Sequence, residues 1–400
     1  MTLWQKNYVL NERIEAFTVG DDYILDQHLV KFDCAASIVH AKMLGKIGVL
    51  SQNELQSLIQ ELENIIGLDA KKAFRIRPED EDCHTAIENH LTRELGDTGK
   101  KIHTARSRND QVLTALRLYE KSELDTCKAL AGRYIDAVDH FIGRFGEISL
   151  PGYTHMRKAM PSSIAMWGTA FMDSMKDNLK LIAAIEDVID QSPSGSGAGY
   201  GIPLEIDRAY VADLLNFSRV QQSPIYCQQS RGKFEATIVH VLSQIMFDLN
   251  KLASDLILFS MPEFGYFELP EDFCTGSSIM PQKFNPDVLE LLRAKYHVVL
   301  SCEYQLRSIT SNLIIGYHRD VQLTKSPLIN AFVITKDCLE IAIMLFNKVE
   351  VDAEKCQLAM SDDLYATERM YALVKNGMSF RDAYRTVSKQ YEHSPHKKNK

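Results

Sequence analysis

The chain reads as an all-α protein, and three observations predict this. Apolar residues recur at alternating spacings of three and four along several long stretches, the period of one helix face. Glycine and proline, which break helices, are absent between Phe234 and Ser260. No alternating apolar–polar run longer than a few residues marks a strand.

The elements follow in order. Ser51-Gln52-Asn53-Glu54 has the form of a capping box, with Leu55, Leu58, Ile59, Leu62, Ile65 and Ile66 behind it on one face and Gly67 as the expected stop. A run from about Asn109 into the 140s meets few breakers before Gly143 and Gly146, and another lies between Pro161 and Pro193 with Gly168 inside. Ile238, Leu242, Ile245, Leu249, Leu252, Leu256 and Phe259 form the clearest stripe. After Pro286 the same spacing returns at Val288, Leu292, Lys295, Val299, Cys302, Leu306, Ile309 and Leu313. Runs this long predict helices packed nearly parallel in a bundle. Val239, Val241, Met246 and Ile257 add apolar surface beside the stripe, which predicts that subunits associate through these helices. The expected regions are an N-terminal helical domain over 1–106, a long-helix domain over 107–350 and a small C-terminal helical domain over 351–400, fraying from about Glu392.

Composition excludes several classes. The chain of 400 residues carries a net charge of −8, which argues against a general nucleic-acid binder. The N-terminus shows no basic stretch followed by an apolar run, so no signal peptide is expected. No apolar run reaches the roughly 18 residues that span a membrane. The eight cysteines form no Cys-x-x-Cys pair and read as reduced thiols of a cytoplasmic protein, not as a zinc site. No His-Glu-x-x-His, EF-hand or P-loop pattern occurs, so neither a metal nor a nucleotide cofactor is expected.

Polar clusters interrupt the apolar pattern. Gly276-Ser277-Ser278-Ile279-Met280-Pro281-Gln282-Lys283-Phe284-Asn285-Pro286 crosses between two long helices. Its first half is flexible and rich in hydroxyls and amides, and its second half is stiffened by proline around Lys283 and Asn285. Such a loop suits a carboxylate that gains charge during a reaction. Asn285 could equally cap the next helix, whose first position suits Pro286. Glu81-Asp82-Cys83-His84-Thr85 and His103-Thr104-Ala105-Arg106-Ser107-Arg108-Asn109-Asp110-Gln111 gather guanidinium groups that grip carboxylates bidentately. Asn109 or Asp110 could instead cap the long helix. His155, in Gly152-Tyr153-Thr154-His155-Met156-Arg157, lies in a loop before a helix, as a general acid or base or as a structural histidine. The glycines at 195, 197, 199 and 201 follow a helical segment, which rules out a dinucleotide fingerprint. Tyr317-His318-Arg319-Asp320-Val321-Gln322-Leu323-Thr324-Lys325 is a polar patch after the last long run, a binding segment or a plain surface connection.

Taken together, these segments resemble the fumarase/aspartase superfamily. Gly-Ser-Ser-Ile-Met-Pro-Gln-Lys-x-Asn-Pro matches its signature, and the 103–111 and 152–155 segments with Tyr317, Gln322 and Lys325 are similar to the argininosuccinate lyases within it. The resemblance runs from about Leu3 to about Arg385. It implies a three-domain all-α protomer and a homotetramer whose active sites take segments from three subunits. The implied reaction is reversible elimination of fumarate from argininosuccinate to leave arginine, without metal or organic cofactor. By the same resemblance Ser277 is the base, His155 the acid, Glu290 its charge-relay partner, and Lys283 and Asn285 the holders of the carbanion's charge. His84, Arg108, Asn109, Thr154, Tyr317, Gln322 and Lys325 correspond to substrate-binding positions. The alternatives are another fumarate-releasing lyase, such as adenylosuccinate lyase or aspartase, and a non-catalytic homologue like the lens crystallins of this fold. Three positions depart from the pattern: Phe284 replaces a basic residue, Arg157 a glutamine, and no serine is matched around Thr18-Val19-Gly20-Asp21. The C-terminal domain is expected to be shortened.

Overall fold

The computed structural model describes residues 11–391, so the expected fraying from about Glu392 lies outside the described residues. It is built from helices, with only short strand pairs between them.

The predicted helices form, with local differences at their ends. Ser51 accepts from the Glu54 amide at 3.4 Å and Glu54 accepts from the Ser51 amide at 2.9 Å, which closes the capping box at the start of Gln52–Ala70. Gly67 does not stop this helix. The buried ladder Leu58, Leu62 and Ile65 carries it past the glycine, whose helix penalty is only about 1 kcal/mol. Arg108–Phe145 likewise runs through Gly132 and Gly143. It stops before Gly146, where an added Cβ would sit 2.6 Å from the Ile142 carbonyl oxygen. In Ile164–Ile189, the missing Cβ of Gly168 lets Ile142 approach to 2.9 Å from where that atom would be. Lys233–Phe259 matches its expected span, and Asp287–Thr310 starts one residue after Pro286 and ends before Leu313.

Two expectations need correcting. Val239, Val241 and Met246 are buried within the chain itself, so they do not supply the surface for subunit association. Apolar side chains are exposed along Asp287–Thr310, among other places, with Leu291 62% and Tyr304 75% exposed. A β-hairpin also stands where no strand was expected. β1 (Ser149–Thr154) pairs antiparallel with β2 (Arg157–Ser163), with Pro151 opposite Pro161. The pair is isolated, so each proline faces no further strand that would need its missing N–H.

The chain divides into two compact units, each assembled from three separated segments. One takes the residues up to Ala129, Leu179–Gln244 and His297–Lys336; the other takes Leu130–Asn178, Ile245–Tyr296 and the residues from Asp337 onward. In the first, Val30–Lys46 packs on Gln52–Ala70 and Cys83–Leu95 over a core that includes Leu29, Leu44, Leu58 and Leu62. In the second, Phe141, Trp167, Phe267 and Phe346 interlock, with Trp167 and Phe267 centroids 4.9 Å apart. The Trp167 indole donates to Asp255 at 3.0 Å, so the half-buried ring leaves no orphaned N–H.

Candidate active site

The signature segment 276–286 is a loop closed on itself. Its neck is a strand pair, with Thr275 opposite Asn285 and Gly276 opposite Phe284. Asn285 donates across the neck to the Gly276 carbonyl at 3.4 Å; among the described residues it makes no capping bond to the helix that follows. That helix is entered through Pro286, whose carbonyl accepts from Leu289 and Glu290. Inside the loop, the Ser277 hydroxyl oxygen accepts from the Met280 amide at 3.1 Å and the Ile279 amide at 3.4 Å. Two N–H dipoles therefore converge on one oxygen, an arrangement that favours negative charge there. Ser277 is half-buried, while Lys283 and Glu290 are exposed.

His155 sits at the tip of the β1–β2 hairpin, not in a loop at a helix start; the helix begins only at Ile164. His155 and Met156 form the two-residue turn with φ of 51° and 57°. Positive φ at both central positions is the turn that matches strand twist, but it favours Asn-Gly over side chains of this size. The exposed imidazole is thus held forward by a strained backbone beside exposed Thr154. Among the described residues no hydrogen bond joins His155 to Glu290 or to Ser277.

A second cluster forms in the unit that contains the chain up to Ala129. Arg108, Asn109, Tyr317, Gln322 and Lys325 line one cavity of about 250 Å³. Asn109 is free to do so because its neighbours cap the long helix. Ser107 accepts from the Asn109 amide at 3.3 Å, and Asp110 accepts from the Ser107 amide at 2.9 Å. Asp110 also accepts from Gly195 and Gly197 at 3.0 Å each, so the glycine-rich loop holds a carboxylate of its own chain. Burial nevertheless pushes the Asp110 carboxyl up to about 6, against those amides.

Lys325 is buried at the base of the cavity, 2.6 Å from Asp26 and 3.0 Å from Asp22. Burial works against its charge, but the two carboxylates hold the ammonium above its ordinary value. Asp22 is itself raised by burial, with Lys325 opposing. Arg108 donates to Gln111 at 3.2 Å and Glu88 at 3.3 Å. Gln322 and Arg319 donate to the Thr18 carbonyl at 3.0 and 2.9 Å, which ties the N-terminal segment to the rim. Glu81, with φ of 65°, and Asp82 complete the acidic side. Burial and Asp82 raise the Glu81 carboxyl; burial also opposes ionisation of Asp82, but His84, Arg108 and the Thr85 amide hold it below its ordinary value.

His84 is not on the cavity wall. It is fully buried, 3.3 Å from Asp33 and 3.5 Å from the Cys83 sulfur. Asp26, Cys83 and His84 bring one donor atom each within 4.8 Å of one another. Asp26 is taken by Lys325 and the Cys83 amide, and burial drives the Cys83 thiol far up, so the trio suits a packed core better than an ion. Asp22 and Arg231 also line the cavity, and sequence reasoning missed both. Neither belongs to a recognisable motif: Asp22 follows the unmatched 18–21 segment, and Arg231 stands alone in a short break between helices.

A family model described as lyase matches residues 10–301. An argininosuccinate lyase from Thermotoga neapolitana is 54% identical over 389 residues, covering 97% of this chain and 98% of the relative. One from Parabacteroides distasonis is 40% identical over 394 residues, covering 98% and 87%. Among solved structures, a class II fumarase from Schistosoma mansoni superposes with a TM-score of 0.81 at 15% identity, over 94% of this chain and 87% of that one. An EDDS lyase variant with bound fumarate gives 0.79 at 21% identity, over 96% and 76%. At these identities the structural likeness is one of fold.

Proposed function

The chain belongs to the lyase family and, within it, to the argininosuccinate lyases, and from that premise we propose how its residues release fumarate from argininosuccinate to leave arginine. Ser277, as the alkoxide, takes the proton from the succinyl carbon next to the one bearing nitrogen. The electron pair left behind moves into the adjacent carboxylate, where Lys283 and Asn285 hold the added charge. That pair then returns to form the fumarate double bond as the carbon–nitrogen bond breaks, and His155 gives its proton to the departing guanidinium nitrogen. Glu290 is the charge-relay partner of His155. The cavity around Arg108, Asn109, Tyr317, Gln322 and Lys325 binds substrate, with Thr154 beside the acid. These steps are proton transfers and charge stabilisation, which side chains and amides supply.

The observation that carries this reading is the pair of amides on the Ser277 oxygen. A serine is a weak base unless its alkoxide is stabilised, and the loop provides two donors for that oxygen. The protein acts as a homotetramer with shared active sites. Supporting this, Leu291 and Tyr304 expose apolar surface along one helix, and among the described residues no bond joins His155 to Glu290. A cytoplasmic location is supported by eight cysteines that all remain thiols.

The test is to incubate the protein with argininosuccinate and follow fumarate by its ultraviolet absorbance, with adenylosuccinate and aspartate in parallel. Fumarate from argininosuccinate alone, lost in Ser277→Ala, is the expected result. Silence from the folded protein on all three would overturn the reading.

A further inference from the structure

Arg231 differs from every other cation of the cavity. It lies in the short break between Pro224–Gln229 and Lys233–Phe259, and its backbone there is fixed. Its amide donates to Gln228 at 3.2 Å, and the next residue, Gly232, has φ of 85° in a space where a Cβ would lie 2.1 Å from Thr310. The side chain is only 5% exposed, yet it lines the cavity. Arg108, Arg319 and Lys325 each donate to protein acceptors at the distances given above. Among the described residues, none accepts a hydrogen bond from the Arg231 guanidinium, and its Nε is buried without a partner.

The nearby acids do not fill this gap. Asp22 and Asp26 turn oxygens to Lys325, and Asp26 also receives the Cys83 amide. Glu235 accepts from the Gly232 amide at 2.5 Å. Glu120 accepts from Arg117 at 3.2 Å, and burial, with Glu235, raises its carboxyl against that cation. A guanidinium has five donors in a fork that fits a carboxylate, and leaving them unmade in a buried site is unfavourable unless a ligand completes them.

We propose that Arg231 binds the α-carboxylate of the amino-acid head of the substrate's arginine moiety. The assignment rests on the lyase reading above. Within that reading, Lys283 and Asn285 take the carboxylate at the reacting carbon. The cavity joins the open Arg231 fork to the acids Asp22, Glu81 and Asp82. A carboxylate beside an ammonium meets that combination, and of the two halves of the substrate only the arginine half carries both.

Calorimetric titration with arginine and, separately, fumarate tests this on the wild type, Arg231→Gln and Arg231→Lys. Steady-state kinetics and circular dichroism accompany each. Arginine affinity is expected to fall about 10- to 100-fold in Arg231→Gln, the scale of one lost charge-assisted pair, and to recover in part in Arg231→Lys. Fumarate affinity should stay unchanged, and KM for argininosuccinate should rise more than kcat falls. Arginine bound as tightly by Arg231→Gln as by the wild type, or a loss confined to fumarate, would overturn the assignment. If Arg231→Gln fails to fold, Arg231→Lys decides alone, because it keeps the charge but not the fork. A wild type that binds no arginine would sink the lyase reading itself.

Discussion

Among the described residues no histidine or carboxylate is bonded to the Ser277 hydroxyl; it has two amide donors and, further along the same loop, a lysine. Ser277→Ala is therefore expected to lower kcat at least about 10³-fold, the scale of losing a base along with its oxyanion contacts. The unfolding midpoint should stay unchanged, because the side chain supports only its own loop. Lys325 should behave in the opposite way. Lys325→Met strands the part-buried Asp22 and fully buried Asp26 carboxylates and should destabilise the protein by about 3–5 kcal/mol in urea unfolding. A third residue gives a pH dependence. Burial, helped by Arg106, holds the His40 imidazole down to about 3, and its Nε2 proton goes to the Thr104 carbonyl at 2.8 Å. A depressed histidine favours the fold above its unfolded value of about 6.5 and loses that advantage as pH falls towards about 3. His40 by itself should thus cost the fold about 2 kcal/mol between pH of about 6.5 and about 5; because the raised Asp110 and Glu120 carboxyls act in the opposite direction, its share is read as the difference between the wild-type and His40→Asn stability profiles. These residues also mark what was legible. Arg108, Asn109, Tyr317, Gln322 and Lys325 stood in recognisable segments and meet in one cavity. Asp22 and Arg231 reach it only through the fold, and His84, from an equally polar segment, is drawn into the core by Asp33.

At the scale of elements, the long helices were readable because a stripe repeated over many turns survives any single glycine. The ends were not, since Gly67 and Gly143 look like stops yet sit exposed on helices whose buried faces outweigh their penalty. The β1–β2 hairpin was hidden for a different reason. Its strands, Ser-Leu-Pro-Gly-Tyr-Thr and Arg-Lys-Ala-Met-Pro-Ser-Ser, lack alternation, and its turn lacks the Asn-Gly that announces such hairpins. That turn makes a prediction of its own. Met156→Gly removes a side chain from a position with φ of 57° and should stabilise the protein by about 1 kcal/mol in urea unfolding. Thr154 and His155 stay in place, so any fall in activity would show that the strained turn also serves to aim the imidazole.

At the scale of the whole molecule, the shared-site proposal is open to complementation. Ser277→Ala and His155→Asn should each be inactive alone, whereas tetramers mixed from the two should regain activity. Hybrids that demonstrably form and stay dead would exclude active sites built from more than one subunit. The division into two units carries a further consequence, for the order in which the protein can be made. The first unit needs the chain up to Ala129 at one extreme and His297–Lys336 at the other, and stretches of the second emerge between them. During synthesis, the opening helices must wait for residue 336 before their last partners arrive. The first unit cannot be completed until two of the second unit's three segments have been translated, and the second waits for the residues after 336. A nascent chain arrested before that point would hold parts of both and finish neither, and its unmatched apolar faces would be the surfaces a chaperone meets.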